Sequence, residues 1–309
     1  MYRYIIKRIM MLIPVLLAVS FVVFFLMDLA PGDVVSTLDT HDMSPEEIEA
    51  LRDSYGLNDS LIERYFHYIG NMLKGDMGES FIYHRPVMEV FLERFPATIK
   101  LAFGGTFVAV MIAVPLGIVA ATHQGTWIDA FSMVAALLGL SMPNFWVGLL
   151  LIILFSLNLG WLPSNGAEHW YSIILPAITV GTGAAGTMCR MTRSSMLDVI
   201  RQDYLRTARA KGVSEHNVIY KHALKNALIP ILTVFGSVLG NAFGGAVLTE
   251  TVFAWPGVGR LLIKAISDRD TPLATCCIMM TTFFLTITLL VIDIAYAYVD
   301  PRIKAHYAK

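Results

Sequence analysis

The sequence predicts an all-α, polytopic membrane protein with six transmembrane helices and a small helical insert after the first of them. The chain has 309 residues, of which 56% are hydrophobic and 15% are charged, whereas soluble domains carry about 25% charged residues. A bilayer core of about 30 Å needs about 20 apolar residues of helix. Uncharged runs of sufficient length occur at 9–27, 101–122, 130–157, 170–189, 226–249 and 271–292.

The basic residues predict the orientation of these spans. The tails and short loops on the side of the two termini carry fourteen Lys and Arg residues, against three in the short loops of the other side. Short cytoplasmic loops are enriched in Lys and Arg, so both termini are predicted to be cytoplasmic. The fourteen are Arg3, Lys7, Arg8, Arg190, Arg193, Arg201, Arg206, Arg209, Lys211, Lys221, Lys225, Arg302, Lys304 and Lys309; the three are Arg260, Lys264 and Arg269.

Three parts of the chain are expected: the N-terminal tail with a retained first span (1–29), an extracytoplasmic helical insert (30–97), and a membrane core (98–309) with a cytoplasmic loop at 190–227. Between residues 30 and 100 there are 13 acidic and 6 basic residues. Ser44 and Glu47 predict a capping box, with Pro45 at the first helical position. Gly56 is expected to end that helix, residues 60–73 have helical spacing, and a third short helix is predicted over 86–95, before Pro96.

The predicted spans contain little that could power or catalyse a reaction. They have no Asp, Glu, Lys, Arg or His at mid-depth, where ion-coupled transporters bind their driving ion. The chain also lacks the GxxxxGK[ST], HExxH and GxSxG motifs. It is therefore predicted to be no enzyme and to bind no cofactor or metal of its own. Cys189, Cys276 and Cys277 are interpreted as small core residues.

The most concentrated basic segment is RQDYLRTARAKGVSEHNVIYKHALKNALIP, residues 201–230. An amphipathic helix is predicted from Ser195 to Lys211, ended by Gly212 in a left-handed conformation. Ser214 is expected to cap a second helix whose first turn carries Glu215. This loop could lie on anionic lipid or dock to a soluble protein. Its small residues favour docking, because they allow close approach.

The same loop resembles a known family. YLRTARAKG followed by HALKNALIP is similar to the cytoplasmic EAA loop of ABC-importer permeases of the dipeptide, oligopeptide and nickel subfamily. The general pattern falls on Arg206, Thr207, Ala208 and Gly212, with Arg in place of the leading Glu. Further blocks resemble that family in order: LAPGD (29–33), GDMGES (75–80), RPVMEVFLERFPAT (85–98), SMPNFWVGLLL (141–151) and TETVFAWPGVGRLL (249–262).

The resemblance implies a permease subunit in a bacterial or archaeal cytoplasmic membrane. It would pair with a second homologous permease, with two ABC ATPase subunits that carry the ATP and Mg, and with an extracytoplasmic substrate-binding protein; no nucleic acid is implied. The ATPase contact would comprise Tyr204, Leu205, Arg206, Thr207, Ala208, Arg209, Ala210, Lys211 and Gly212. A role in the pathway or gate is expected of Ser141, Pro143, Asn144, Phe145, Asn241, Glu250, Phe253, Pro256 and Gly257.

Local interpretations of these residues stay open. Ser141 has no His within the spans to activate it, and could be a helix residue before a kink at Pro143. The residues around Glu250 could simply pack an outer loop, with Gly257 forming a turn. For the substrate, nickel would be helped by His or Cys in the pathway, so short peptides are favoured. Importers of nickel or another small solute, secondary transporters, passive channels and non-transport scaffolds remain the alternatives.

Overall fold

A computed structural model describes residues 2–29, 33–37 and 43–299. Arg302, Lys304, Lys309 and the middle of the LAPGD block lie outside the described residues. The regular secondary structure of the described ranges is helical, apart from an isolated β-bridge between Glu79 and Pro86. The α-helices are α1 Tyr2–Leu29, α2 Pro45–Ser54, α3 Leu61–Met72, α4 Val87–Thr122, α5 Trp127–Ser141, α6 Asn144–Leu151, α7 Ile174–Ile200, α8 Asp203–Ala210, α9 Glu215–Asn217, α10 Leu224–Gly245, α11 Val247–Val252, α12 Val258–Ser267 and α13 Thr271–Val299.

Five stretches of helix in the described residues are long and apolar enough to cross a membrane. They are Ile9–Leu29, Val87–Thr122, Trp170–Ile200, Glu215–Gly244 and Thr271–Ile292. Large apolar side chains on them face outward, for example Met10 and Phe107, which are 64% and 66% exposed. Exposed apolar surface of this extent is typical of a surface that contacts lipid. The predicted all-α membrane fold is confirmed.

The predicted span at 130–157 forms a sharply bent pair of helices. Trp127–Ser141 and Asn144–Asn158 meet at 100° and count as a sixth span only if the pair is taken together. Met142 between them has φ −82° and ψ 129°, as expected for a residue before proline, which disfavours the helical conformation there. The prediction of one span is therefore met only in this broken form, and the bend at Pro143 is larger than a kink.

The insert confirms two of its three predicted helices. Ser44 and Glu47 form the expected capping box on α2, and Ser60 and Glu63 form another on α3. Gly56 follows α2 with φ 63°.

The prediction of a third short helix that ends before Pro96 is wrong, because this segment is the start of the 36-residue helix α4, which continues through the proline. Val87 and Phe91 are fully buried. Phe91 stacks on Phe95, with ring centroids 5.2 Å apart, and Phe95 stacks on Phe284 at 4.1 Å. This packing holds the turn before Pro96 helical although the proline supplies no N–H donor.

The chain divides into two compact units. The first contains Ile99–Trp255 with the described residues before Ile5 and after Thr286; the second contains Ile5–Thr98 and Pro256–Thr286. In the first unit α7 packs against α5, α6, α10 and α11. In the second unit the largest buried cluster joins Val87, Val90 and Phe91 to apolar residues of α12 and the start of α13. Cys189, Cys276 and Cys277 are buried and free, as predicted.

Glycine allows a close helix approach within the first unit. A Cβ atom at Gly105 would lie 2.5 Å from Val180 Cγ1, and one at Gly181 would lie 2.7 Å from Val108 Cβ. Either side chain would push α4 and α7 apart, so these two glycines are packing residues of the kind that membrane helices use. At Gly244, by contrast, an added Cβ would meet no atom within 4 Å.

Candidate functional site

The loop that follows α7 begins with a break in the helix. A single amphipathic helix over 195–211 was predicted, and this is wrong: α7 ends at Ile200 and α8 begins at Asp203. Gln202 between them is extended (φ −76°, ψ 145°), and its side-chain amide donates to Asp198 O at 3.2 Å, satisfying a terminal carbonyl of α7. Asp203 in the first turn and Arg209 in the last turn of α8 suit the helix dipole.

Gly212 ends α8 in the predicted way. Its φ is 79°, a left-handed conformation that glycine adopts without a steric cost. Gly212 N donates to Arg209 O at 2.9 Å, and Val213 N donates to Ala208 O at 3.2 Å. These two bonds are the pair that defines a Schellman motif. The chain therefore reverses tightly at Gly212, and space around this residue is open, since an added Cβ would meet no atom within 4 Å.

An ion pair closes the turn behind Gly212. Arg209 Nε donates to Glu215 Oε2 at 3.0 Å, and a terminal guanidinium nitrogen donates to Oε1 at 2.7 Å. This hydrogen bonding to Glu215 raises the pKa of the Arg209 guanidinium above its usual range. Ser214 occupies the predicted N-cap position, but its hydroxyl makes no capping hydrogen bond. The second helix then starts as the short α9 and passes through a π-helical turn, Val218–Ala223, into α10.

Leu205 anchors α8 to the first unit. Its side chain is fully buried in a cluster with Met196 of α7 and with Val218 and Ala223 of the π-helical turn. The sequence placed Leu205 among the docking residues. Because its side chain has no exposed surface, it cannot contact a partner there and instead holds α8 against α7 and the π-helical turn. Among the other predicted contact residues Ala208 is partly buried, and Tyr204, Arg206, Thr207, Arg209, Ala210, Lys211 and Gly212 are exposed.

A polar contact also ties α8 to α10. The hydroxyl of Tyr204 accepts a hydrogen bond from Asn226 Nδ2 at 2.7 Å and donates to His222 O at 3.4 Å. Asn226 lies in the first turn of α10. The sequence gave no signal for this contact, because nothing in the pattern of a single chain connects Tyr204 with a polar residue so far along it.

Two of the predicted pathway residues line one cavity. Asn144 at the start of α6 and Asn241 on α10 face a cavity of about 470 Å³ in the first unit. The other polar side chains that line this cavity are Thr187 and Ser237. Its lining also includes Val180, Gly183, Ala184, Val234, Val238 and Ala242. The described lining is thus uncharged and offers amide and hydroxyl groups against an apolar wall.

The neighbours of Asn144 do not all share this cavity. Ser141 ends α5, and Pro143 precedes α6 with φ −60° and ψ 132°. Phe145 is 41% exposed. None of these three appears in the described lining, so the structure brings only the asparagine of this block together with Asn241.

The remaining predicted gate residues fall in both units. Glu250 is fully buried in α11, and Phe253, 1% exposed, directly follows this helix and packs on Gly148 of α6 in the first unit. Pro256 and Gly257 belong to the second unit. Gly257 lies in the bend before α12 as its N-cap with φ −96°, which any residue adopts, so this position does not require glycine. Thr98 Oγ1 accepts a hydrogen bond from Val258 N at 2.8 Å and caps this helix instead.

The comparisons with known proteins identify the class. Residues 113–305 match the family described as binding-protein-dependent transport system inner membrane component, and residues 1–102 match the N-terminal family of such membrane components. The chain belongs to this family. It is thus a permease of an ABC importer of the peptide type, a multi-pass protein of the inner membrane, and its family implies ATPase and substrate-binding-protein partners.

Individual relatives are similar along the whole chain. A protein from Escherichia coli named glutathione transport system permease protein GsiC is 41% identical over 304 residues, which is 98% of this chain and 99% of that protein. The protein of the same name from Salmonella typhimurium is 40% identical over the same shares. These relatives are named as permease subunits, and the prediction from the sequence motifs is confirmed.

A solved structure has the same fold. The inward-facing MetNI methionine ABC transporter contains a chain that superposes with a TM-score of 0.59 at 18% sequence identity, covering 69% of this chain and 97% of that one. At this identity the likeness concerns the fold alone. Within the described part of this chain, no group of three or more His, Cys, Asp and Glu side chains is arranged to hold a metal ion.

Proposed function

We propose that this permease forms half of a translocation pathway for short peptides and that ATPase subunits drive it through α8. The exposed residues of α8 and Gly212 would make the ATPase contact, and the cavity between Asn144 and Asn241 would form part of the pathway. ATP and Mg would be held by the ATPases, so that this chain is a transport subunit and not itself an enzyme.

The connection from α8 to α10 carries this proposal. α8 presents an exposed outer face, while Leu205 and the Tyr204–Asn226 hydrogen bond fix its inner face to the base of α10. Asn241 lies on the same helix α10 and faces the cavity. α10 is continuous from Leu224 to Gly245 although Pro230 removes one of its backbone hydrogen bonds, so it connects Asn226 to Asn241 as one helix. A movement imposed on α8 would therefore reach the wall of the cavity.

The lining of the cavity supports peptides as the substrate class. Amide and hydroxyl side chains can donate to or accept from any peptide backbone, and they do so without a preference for the charge of the peptide side chains. The GsiC relatives carry glutathione transport in their name, and glutathione is itself a tripeptide.

The assembly and the orientation belong to the same proposal. Both termini and α8 would be cytoplasmic, as the positive-inside rule indicates. A sister permease would complete a heterodimer, and an extracytoplasmic binding protein would deliver the substrate.

Reconstitution tests this function. The permease, its sister permease, the ATPases and the binding protein would be placed in liposomes, and uptake of a labelled tripeptide would be measured with and without ATP. We expect uptake that requires both ATP and the binding protein. Flux without ATP would indicate a channel, and the absence of any ATP-dependent uptake would contradict an importer of peptides.

A further inference from the structure

We propose that Arg94, Arg260 and Lys264, together with Tyr83, form a binding pocket for the free carboxylate of a short peptide. The pocket lies within the second unit and has a volume of about 230 Å³. It is separate from the cavity of Asn144 and Asn241, and the residues that line it carry three positive charges. The predicted topology places it on the extracytoplasmic side, because Arg260 and Lys264 belong to the loop between the fifth and sixth spans.

The positions of the cations follow from the local structure. Arg260 and Lys264 are four residues apart on α12, so their side chains lie on the same face of this helix. The opposite face is fixed by Val258, Leu261 and Ala265, which are nearly fully buried. Arg94 approaches from α4. Three cations from two anchored helices thus line one space.

Tyr83 holds one of these cations in place. Lys264 Nζ lies 5.6 Å from the centre of the Tyr83 ring, within the range of a cation–π contact. Lys264 also lies 3.8 Å from Asp268 Oδ2, a long contact on the side of α12 towards its C-terminus. Glu93, the acidic neighbour of Arg94 in sequence, is hydrogen-bonded to Arg85 at 2.6 Å and also attracts Arg94 electrostatically. The described residues that line the pocket include no carboxylate.

The size and charge of the pocket select the ligand class. By this measure of volume one water needs only about 10 to 15 Å³, so the pocket of about 230 Å³ has ample room for a carboxylate and the residue that carries it. Guanidinium groups bind carboxylates through paired, charge-assisted hydrogen bonds. Positive-inside sorting disfavours cations on this side of the membrane, yet two of the three basic residues in the predicted outer short loops line this pocket.

The assignment of the carboxylate to a transported peptide rests on the proposed function, whereas the pocket itself does not. Binding is therefore measured first, on the full-length permease in nanodiscs of neutral lipid at pH 7. The probes are trialanine and trialaninamide, which differ only in the charge of the C-terminus, and saturation-transfer NMR reports their binding. We expect trialanine to bind about tenfold more tightly. Equal binding of the two probes would overturn the proposal.

Variants locate the binding. Arg260→Gln combined with Lys264→Gln is expected to remove the preference for trialanine. Lys74→Gln removes an exposed charge from the same unit outside the pocket and is expected to keep the preference. Thermal unfolding confirms that each variant folds. If the preference persists in the double variant, the carboxylate binds elsewhere and the proposal is wrong. If the double variant does not fold, the comparison of trialanine with trialaninamide on the unaltered protein still tests the proposal.

A lipid headgroup is the other source of an oxyanion, and a second lipid composition separates it. If anionic lipid in the nanodisc abolishes trialanine binding at constant ionic strength, the pocket is a headgroup site and the peptide assignment is overturned. If the preference survives, the assignment stands. In the reconstituted transporter the double variant should lower uptake of trialanine about fivefold more than uptake of trialaninamide. An equal effect on both substrates would overturn the pocket, whereas no uptake of either by the unaltered complex would count against the proposed function alone.

Discussion

Asp129 and Arg193 form a bidentate ion pair that joins α5 to α7. Arg193 Nε donates to Asp129 Oδ1 at 2.6 Å, and a terminal nitrogen donates to Oδ2 at 2.7 Å. Gly125 N donates to the same Oδ2 at 3.0 Å. The Asp129 side chain is 9% exposed and that of Arg193 is 26% exposed. The carboxylate is thus buried and saturated with donors, which makes this pair the main polar contact between the two helices.

Substituting Asp129→Ala should destabilise the first unit by about 2 kcal/mol. The loss of one partner leaves a charge largely out of water, which costs about 3 to 5 kcal/mol for a fully buried pair, and the partial exposure of Arg193 reduces this. Thermal unfolding of the purified protein measures the effect. Asp203→Ala is the control, because its side chain is 97% exposed and its ion pair with Arg206 is long, at 3.9 Å. An equal effect of both substitutions would contradict this prediction.

Removal of the Tyr204 hydroxyl should reduce coupling more than stability. Tyr204→Phe loses the bond from Asn226, which is worth about 1 kcal/mol, but it loosens α8 from the base of α10. We expect less uptake per ATP hydrolysed and a nearly unchanged unfolding temperature. Tyr220→Phe is the matched control, since Tyr220 is exposed and its ring packs on that of His216 in a tilted arrangement. Normal coupling in Tyr204→Phe would show that this contact transmits nothing.

The open space at Gly212 allows backbone strain to be separated from docking. Gly212→Val should lower the free energy of unfolding by about 1 to 2 kcal/mol, because its φ of 79° is unfavourable for a β-branched residue. Gly212→Asn should cost less, because Asn tolerates this conformation. If the ATPase contact requires that residue 212 has no side chain, both variants lose the stimulation of ATPase activity by loaded binding protein. Gly160→Asn, at another open glycine with φ 65°, should keep it. Full stimulation in both Gly212 variants would refute docking at this tip.

Local signals in the sequence predicted local structure well. The capping box at Ser44 and the left-handed Gly212 depend on residues within a few positions of each other, so a single sequence contains the whole cause. The continuous α4 could not be predicted this way. Pro96 is a local signal for a break, and the stacking of Phe95 on Phe284 that overrides it comes from a distant part of the chain.

The candidate site was predicted mainly from the resemblance to ABC-importer permeases and only partly from the physical properties of its residues. Pattern alone identified an amphipathic helix here, but Leu205, which the resemblance placed among the contact residues, is the buried anchor of α8. The meeting of Asn144 and Asn241 in one cavity depends on the packing of α6 and α10 against α7. The Asp129–Arg193 pair has no local signal, because Asp129 directly precedes the uncharged run 130–157 and Arg193 follows the run 170–189. The ATPase-contact role of Tyr204 to Gly212, the pathway and gate roles, and the division of the chain at 29 and 97 stay predictions.

Asp270 provides a test outside the spans. This fully buried residue precedes α13. Its carboxylate accepts hydrogen bonds from the Ser80 hydroxyl, from Leu273 N at 3.2 Å and from Ile82 N at 3.4 Å. Burial raises the pKa of Asp270 above its ordinary value of 3.8, although these hydrogen bonds act in the opposite direction. The carboxylate thus ties the segment before α4 to the start of α13 within the second unit.

The stability of the second unit should therefore depend on pH through Asp270. A raised pKa in the folded state means that folding favours the protonated form, so the stabilisation is complete below the unfolded pKa and is lost as pH rises through the folded pKa. We expect the unfolding temperature of the unaltered protein, relative to Asp270→Asn, to fall as pH increases from about 4 towards neutral and then to level off. Asp76→Asn, at an exposed turn residue whose carboxylate accepts only from Gly78 N at 2.8 Å among the described contacts, should leave this profile unchanged. A difference that grows with pH would mean that the hydrogen bonds outweigh burial and that the pKa of Asp270 is lowered.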